Sequence, residues 1–266
     1  MKRFLRRWAC HGLGLSGITE RRRARRVRCG EGWATVLVFH RISATVPEDG
    51  LTTSPLRFRR ILALLAARYE VLSLTELAGR LAAGPAFTGR EVAITFDDGY
   101  RDNYEIAAPL LAEFGLPACF FLTVGRIGTD FQFPWDRDRG VQTDLMSWAQ
   151  ARELHDAGLD LGCHTWSHPD LGTLPVTQAH QELVRARSTM EDRLGTTVDQ
   201  FAYPFGGREH FRPEWREAVV AAGFANNYSA HGGFVTAETD PWLIPRTNGS
   251  YQSTLTDLRI DLDRPW

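Results

Sequence analysis

No stretch of this chain is apolar for long enough to cross a bilayer as a helix, which excludes an integral helical membrane protein. Cysteine is scarce: Cys10, Cys29, Cys119 and Cys163 form no CxxC pair and no regular framework. A disulfide scaffold or a cysteine-based zinc ribbon is therefore excluded, and free thiols of a reducing compartment are expected. No internal repeat or low-complexity tract is present, so solenoid and linker architectures fall away. The N-terminus begins like a signal peptide, with Lys2, Arg3, Arg6 and Arg7. Its apolar stretch from Trp8 to Ile18 is interrupted by His11, Gly12, Gly14, Ser16 and Gly17, and arginines stand where a cleavage site would lie. No cleavable leader is read, and the expected location is cytoplasmic, peripheral to the inner membrane face.

The net charge of −1 conceals a division. Residues 1–29 hold ten Lys/Arg against Glu20, or +9; the remainder then has 31 − 10 = 21 basic and 32 − 1 = 31 acidic residues, or −10. Residues 1–30 read as a basic, helical arm and residues 31–266 as one domain. A basic arm on an acidic body suits an anionic membrane surface, with Phe4, Leu5 and Trp8 as apolar contacts. Nucleic acid is not expected, because the body carries no basic stripe to extend the contact.

From residue 36 onward, short runs rich in β-branched and aromatic residues alternate with helix-like segments. Strands are expected at 36–40, 71–74, 92–96, 118–124, 159–163, 200–205, 227–230 and 242–246. Their near-continuous apolarity suits a parallel sheet covered on both faces. Ser54-Pro55, Ser73-Leu74-Thr75-Glu76 and Ser147-Trp148-Ala149-Gln150 read as helix starts, the last two as capping boxes. Further helices are expected over 175–194 and 213–222, closed by Gly195 and Gly223. Such alternation means an α/β fold, an open sheet or a barrel. The long stretch from Gly125 to Met146, with Phe131, Phe133 and Trp135, is expected to be an ordered loop facing substrate.

Two runs carry the chemistry, each just past a strand: Thr95-Phe96-Asp97-Asp98-Gly99 and His164-Thr165-Trp166-Ser167-His168. Asp-Gly alone signals a turn, and a His pair alone is weak. Together, one carboxylate and two imidazoles form a ligand set with open positions, leaving the second carboxylate free as a base. A divalent metal held there would bring the pKa of water from about 15.7 toward about 7. That combination points to hydrolysis.

These two runs, in this order and at these strand ends, resemble the first two motifs of the polysaccharide deacetylases, the family-four carbohydrate esterases. The resemblance extends from about Val36 to Thr247 and includes Phe201-Ala202-Tyr203-Pro204-Phe205-Gly206. It implies a distorted (β/α)7-type barrel as a single catalytic domain. It also implies Asp97 as general base, Asp98, His164 and His168 as metal ligands, and the Phe205 N–H as donor to the oxyanion. Two departures concern the groups that accompany this set. Where the family commonly carries an arginine before its third-motif proline, this chain has Ala202. In place of a late leucine–histidine pair stands Leu243-Ile244-Pro245-Arg246. Arg246 is the candidate to orient Asp97. His40 is the candidate acid, and it resembles the first-strand histidine of a branch acting on exopolysaccharide.

Trp135, Trp166 and Tyr203 are assigned to substrate contact, because aromatic faces suit the apolar side of a pyranose. Trp148, Trp215 and Trp242 are assigned to packing. His155, His180, His210 and His231 receive no role. The reading is removal of acetyl groups from N-acetylated sugars of an oligo- or polysaccharide or its precursor, with zinc as first choice of metal and cobalt, nickel or manganese as alternatives. An O-acetyl esterase or small-molecule amidohydrolase with the same machinery, or an inactive carbohydrate-binding relative, are the rivals.

Overall fold

The computed structural model describes residues 18–84, 87–250 and 254–263. Its centre is a set of parallel strands: β1 (Ala34–Phe39), β4 (Glu70–Leu72), β5 (Glu91–Phe96), β6 (Cys119–Leu122), β7 (Asp160–Cys163), β8 (Gln200–Ala202), β9 (Asn226–Tyr228) and β10 (Arg246–Asn248). A separate short parallel pair, β2 (Arg41–Ile42) with β3 (Thr52–Thr53), follows β1. The order β10-β1-β5-β6-β7-β8-β9 leaves β9 facing the approach to β10. Tyr228 bridges Ile244 in parallel, with Ile244 N–H donating to Asn227 O and Ser229 N–H to Ile244 O. Seven strands thus form a nearly closed barrel, and β4 pairs only with the start of β5.

The barrel explains the apolar runs, because its central strands are buried on both faces. β1 (ATVLVF) and β5 (EVAITF) are buried at every position. Leu37, Phe39, Ile94, Phe96, Phe120 and Leu122 pack outward against the helices. The other parity, with Val36, Ala93, Phe121, Ala202, Tyr228 and Ile244, fills the interior. Phe121 occupies so much of that space that a Cβ on Gly162 would lie 2.4 Å from its ring, so only glycine fits on the neighbouring strand. The lower mouth is closed by α3 (Leu74–Ala82), whose Leu74, Leu77 and Leu81 join the interior cluster.

The outer helices are α1 (Ile18–Arg28), α2 (Pro55–Arg68), α4 (Ala108–Phe114), α6 (Trp148–Asp156), α7 (Val176–Leu194), α8 (Pro213–Ala221) and α9 (Leu255–Leu262), with a short α5 (Pro134–Asp138) inside the long loop. The expected starts are present. Ser54 caps α2, and reciprocal capping boxes open α3 at Ser73/Glu76 and α6 at Ser147/Gln150. Gly195 closes α7 in the left-handed region at φ 74°.

One strand expectation needs correction. The run 242–246 is not the last strand; β10 begins at Arg246. The Asp240 side chain accepts the Trp242 N–H and its carbonyl accepts the Leu243 N–H, so this apolar run turns before it pairs. Of the expected arm, residues 1–17 lie outside the described residues and 18–28 form α1. No described helix is long and apolar enough to cross a membrane.

Candidate active site

Interior parity carried one step past the upper strand ends predicts which side chains meet. Following β1, β5 and β7 upward along the inward-facing positions gives His40, Asp97 and His164, and β10 contributes Arg246 and Asn248. A cavity of about 330 Å³ lies there, lined among others by His40, Asp97, Asp98, Trp135, His164, His168 and Phe205. A larger cleft of about 670 Å³ between α4 and α6 holds none of these residues.

Four non-glycine residues with left-handed backbone are found among the described residues: Asp98 (φ 75°), Thr165 (66°), His168 (62°) and Phe205 (61°). All belong to the motif segments. Such conformations persist only where surrounding structure holds them, and they cluster at functional sites. Here each turns the chain back over a strand end. The holding groups are visible at the second motif. Glu182 of α7 accepts hydrogen bonds from the Trp166 N–H (3.1 Å), the Ser167 N–H (2.8 Å) and the Ser167 hydroxyl (2.8 Å), and the Thr165 hydroxyl accepts the His168 N–H (3.0 Å). Glu182→Ala strips the acceptor from all three donors. It is expected to cost about 1–3 kcal/mol, a fall in Tm of about 2–4 °C per kcal/mol for a chain of this size. An unchanged melt would show that the turn stands without it.

Asp98, His164 and His168 each offer one ligand atom within 4.8 Å of the others. His168 Nε2 lies 3.3 Å and His164 Nε2 3.6 Å from Asp98 Oδ1. His164 Nδ1 sits 2.8 Å from the Ala202 carbonyl, which accepts only from a protonated nitrogen and so leaves Nε2 with its lone pair toward Asp98. Burial lowers the His164 pKa to about 4, against the opposing pull of Asp97, so the ring is neutral at pH 7. Burial works against ionisation of Asp98, but His168, His40 and His164 outweigh it and keep its pKa below the ordinary value. Despite these neighbours, neither Asp98 oxygen receives a well-formed hydrogen bond. A buried carboxylate without a well-formed hydrogen bond, set beside two imidazoles of which His164 presents its lone pair, is a donor set suited to a cation. A divalent metal fits this donor set.

Asp97 is held differently. The Arg246 guanidinium grips it with two parallel hydrogen bonds of 2.6 and 2.7 Å. Arg246, with no exposure, also donates to Thr95 Oγ1 (3.1 Å) and Ser229 O (2.8 Å), and its guanidinium lies 5.1 Å from the Phe121 ring centroid. Burial pushes the Asp97 carboxyl up, but Arg246 and His164 prevail and hold it at about 2. It is ionised at neutral pH.

His40 lines the same cavity, and burial lowers its pKa. Its backbone carbonyl accepts from Asn103 Nδ2 at 2.6 Å. Trp135 lines the cavity too, with its ring 5.0 Å from that of His168 and its Nε1–H donating to the Tyr100 hydroxyl (2.9 Å). Behind it runs a network absent from the sequence reading. Tyr100 donates to Asp136 (2.9 Å), and buried Asp136 pairs with buried Arg41. Arg41 follows His40 and Asp136 follows Trp135, so one ion pair joins the two segments. Phe205 stands half-exposed at the rim, 5.0 Å from the His168 ring.

Two assigned contacts lie elsewhere. Trp166 faces away from the cavity: its ring packs over Gly125 and under the Arg185 guanidinium, 3.7 Å from the centroid. The left-handed turns at Thr165 and His168 send the intervening side chain outward. Tyr203 is buried between Phe201 and Phe211, at ring distances of 4.8 and 4.6 Å. It shares the outward parity of Phe201, whereas Ala202 faces the interior.

The family model of Polysaccharide deacetylase matches residues 85–226, slightly more than half of the chain. The chain belongs to the polysaccharide deacetylase family. Among curated relatives, Bacillus subtilis YxkH is 23% identical over 182 residues, covering 68% of this chain and 60% of that protein. A Staphylococcus aureus poly-β-1,6-N-acetyl-D-glucosamine N-deacetylase is 23% identical over 169 residues, covering 60% of this chain and 54% of that one. The chain thus spans 60% or less of the length of these relatives. In fold it matches the Streptococcus pyogenes deacetylase PplD, solved with acetate, at a TM-score of 0.73 and 19% identity, over 88% of this chain and 99% of that one. The (β/α)7-type barrel implied by the family resemblance is the fold found.

Proposed function

We propose that this polysaccharide deacetylase family member is a metal-dependent hydrolase that removes acetyl groups from N-acetylated sugars of a polysaccharide or its precursor. The observation that carries the reading is the division of labour between adjacent carboxylates. Asp97 is saturated by Arg246, while Asp98 lacks donors and faces two histidines. Two carboxylates placed in such different surroundings are suited to two different tasks.

Asp98, His164 and His168 would hold the ion, zinc first by donor type. When bound, the ion supplies Lewis acidity to the acetyl carbonyl and to the attacking water. Asp97 accepts the proton of that water through a carboxylate oxygen, and Arg246 keeps the carboxylate aimed and ionised. The Phe205 N–H donates to the carbonyl oxygen as negative charge gathers on it. His40 passes a proton to the departing amine nitrogen. Because burial keeps the His40 ring neutral, that proton has to arrive within the reaction, from the water Asp97 deprotonates. Trp135 and Phe205, with ring centroids 6.2 Å apart, offer apolar faces to a sugar at the mouth.

The test is acetate release by zinc-loaded protein from N-acetylated hexosamine oligomers, beside O-acetylated oligomers of the same backbone. Release from the N-acetylated set is the expected result. Exclusive release from the O-acetylated set would reassign the protein as an esterase. Tight oligomer binding without turnover would make it a carbohydrate-binding relative.

A further inference from the structure

The helix α1 lies at the end of the barrel opposite the cavity. Glu20 pairs with Arg23 of its own helix and reaches Arg90, directly before β5, at 3.1 Å. Arg23 also lies against Gly89, and α1 leads through a short turn into β1. Every one of these contacts is at the lower, N-terminal ends of the strands. The catalytic motifs are at the upper ends. A six-residue strand such as β1 rises about 20 Å between them.

The charge on α1 is sorted by face. Glu20, Arg23 and Val27 are turned toward the body and partly buried. Arg21, Arg25 and Arg28 follow an i, i+4, i+7 spacing, with Arg22 beside them, and all four are exposed. None of the four enters an ion pair among the described residues, whereas Arg23 and Arg26 both do. Four unneutralised guanidinium groups along one helix face would be expected to attract acidic side chains of a body that carries −10, yet they are held clear of it.

We infer that the Arg21/Arg22/Arg25/Arg28 face of α1 is a docking surface for anionic phospholipid headgroups, and that it seats the protein with its catalytic mouth turned away from the bilayer. Planar, permanently charged guanidinium groups match phosphate oxygens. Each basic residue near an anionic leaflet contributes on the order of 1 kcal/mol, while an acidic body disfavours any other approach. The sequence of residues 2–7 adds Lys2, Arg3, Arg6 and Arg7 ahead of the same helix. The inference does not depend on the proposed reaction.

The experiment is co-sedimentation of the full chain with vesicles of phosphatidylglycerol in phosphatidylcholine, and with phosphatidylcholine alone. The variant R21Q/R22Q/R25Q/R28Q is compared with wild type, and a thermal melt confirms that it is folded. Wild type should bind only the anionic vesicles, and progressively less as salt is raised. The variant should bind at least about 100-fold more weakly. Unchanged binding by the variant, equal binding to phosphatidylcholine, or preference for duplex DNA over vesicles would each overturn the assignment. A variant with Lys2, Arg3, Arg6 and Arg7 changed to Gln separates the two basic segments: if it alone abolishes binding, α1 is not the docking face. The orientation is read separately, as quenching of tryptophan fluorescence by vesicles carrying a headgroup quencher. W135F should leave that quenching unaltered, and loss of quenching in W135F would place the mouth against the membrane.

Discussion

Acetate release by Asp97→Asn protein should fall by about a hundred- to ten-thousand-fold, the range typical for loss of a general base. The same substitution should cost stability. Arg246 has no exposure and gives two of its hydrogen bonds to Asp97, so the amide leaves a guanidinium charge in the core without its counter-charge. Breaking one side of such a pair costs about 3–5 kcal/mol. The double variant Asp97→Asn/Arg246→Met removes the stranded charge and should recover much of that stability with no recovery of acetate release. Thermal melts and acetate assays on the two singles and the double separate the effects. A stable, active Asp97→Asn single variant would remove Asp97 from the mechanism.

The pair also sets a sign for acid sensitivity. The folded carboxyl is held at about 2 against an ordinary 3.8, so the unfolded chain takes up the proton first as pH falls. The contribution, about 2 kcal/mol, is complete above pH 4 and is lost as pH falls through 2. In Arg246→Met the strongest counter to burial is gone and the carboxyl rises toward or above its unfolded value, so the acid loss of stability carried by Asp97 should shrink or reverse relative to wild type.

Metal should stabilise the fold strongly, and the effect should depend on Asp98. At a zinc concentration about a hundred times Kd, a ligand that binds only the folded state adds about 2.7 kcal/mol, which for a chain of this length raises Tm by roughly 5–10 °C. Chelation should reverse the rise. Asp98→Ala should melt at the same temperature with and without zinc, since it removes the carboxylate that both histidines face. A wild-type melt indifferent to zinc would contradict the ligand assignment.

How far the sequence discloses this site depends on the range of each contact. Asp97-Asp98 and His164/His168 are legible because each pair is local and sits at a strand end. The capping boxes at Ser73 and Ser147 are legible for the same reason. The meeting of Arg246 with Asp97 spans 149 positions and follows only from inward parity on two strands brought together by barrel closure. Parity also accounts for Tyr203, since Phe201 and Tyr203 face outward together. Trp166 leaves the site because Thr165 and His168 are left-handed, a local backbone state that residue type does not announce. The Glu182 clamp and the Arg41–Asp136 pair leave no local pattern at all. Each joins segments that only the folded barrel makes neighbours.

The filled interior has a consequence for traffic. Phe121, Tyr228 and the α3 leucines occupy the space beneath Asp97 and Arg246, so among the described residues the barrel encloses no lumen that reaches the lower face. The floor at Asp97 and Arg246 is the bottom of a blind well whose rim is Trp135 and Phe205. Whatever is made at that floor must leave past whatever still rests on the rim.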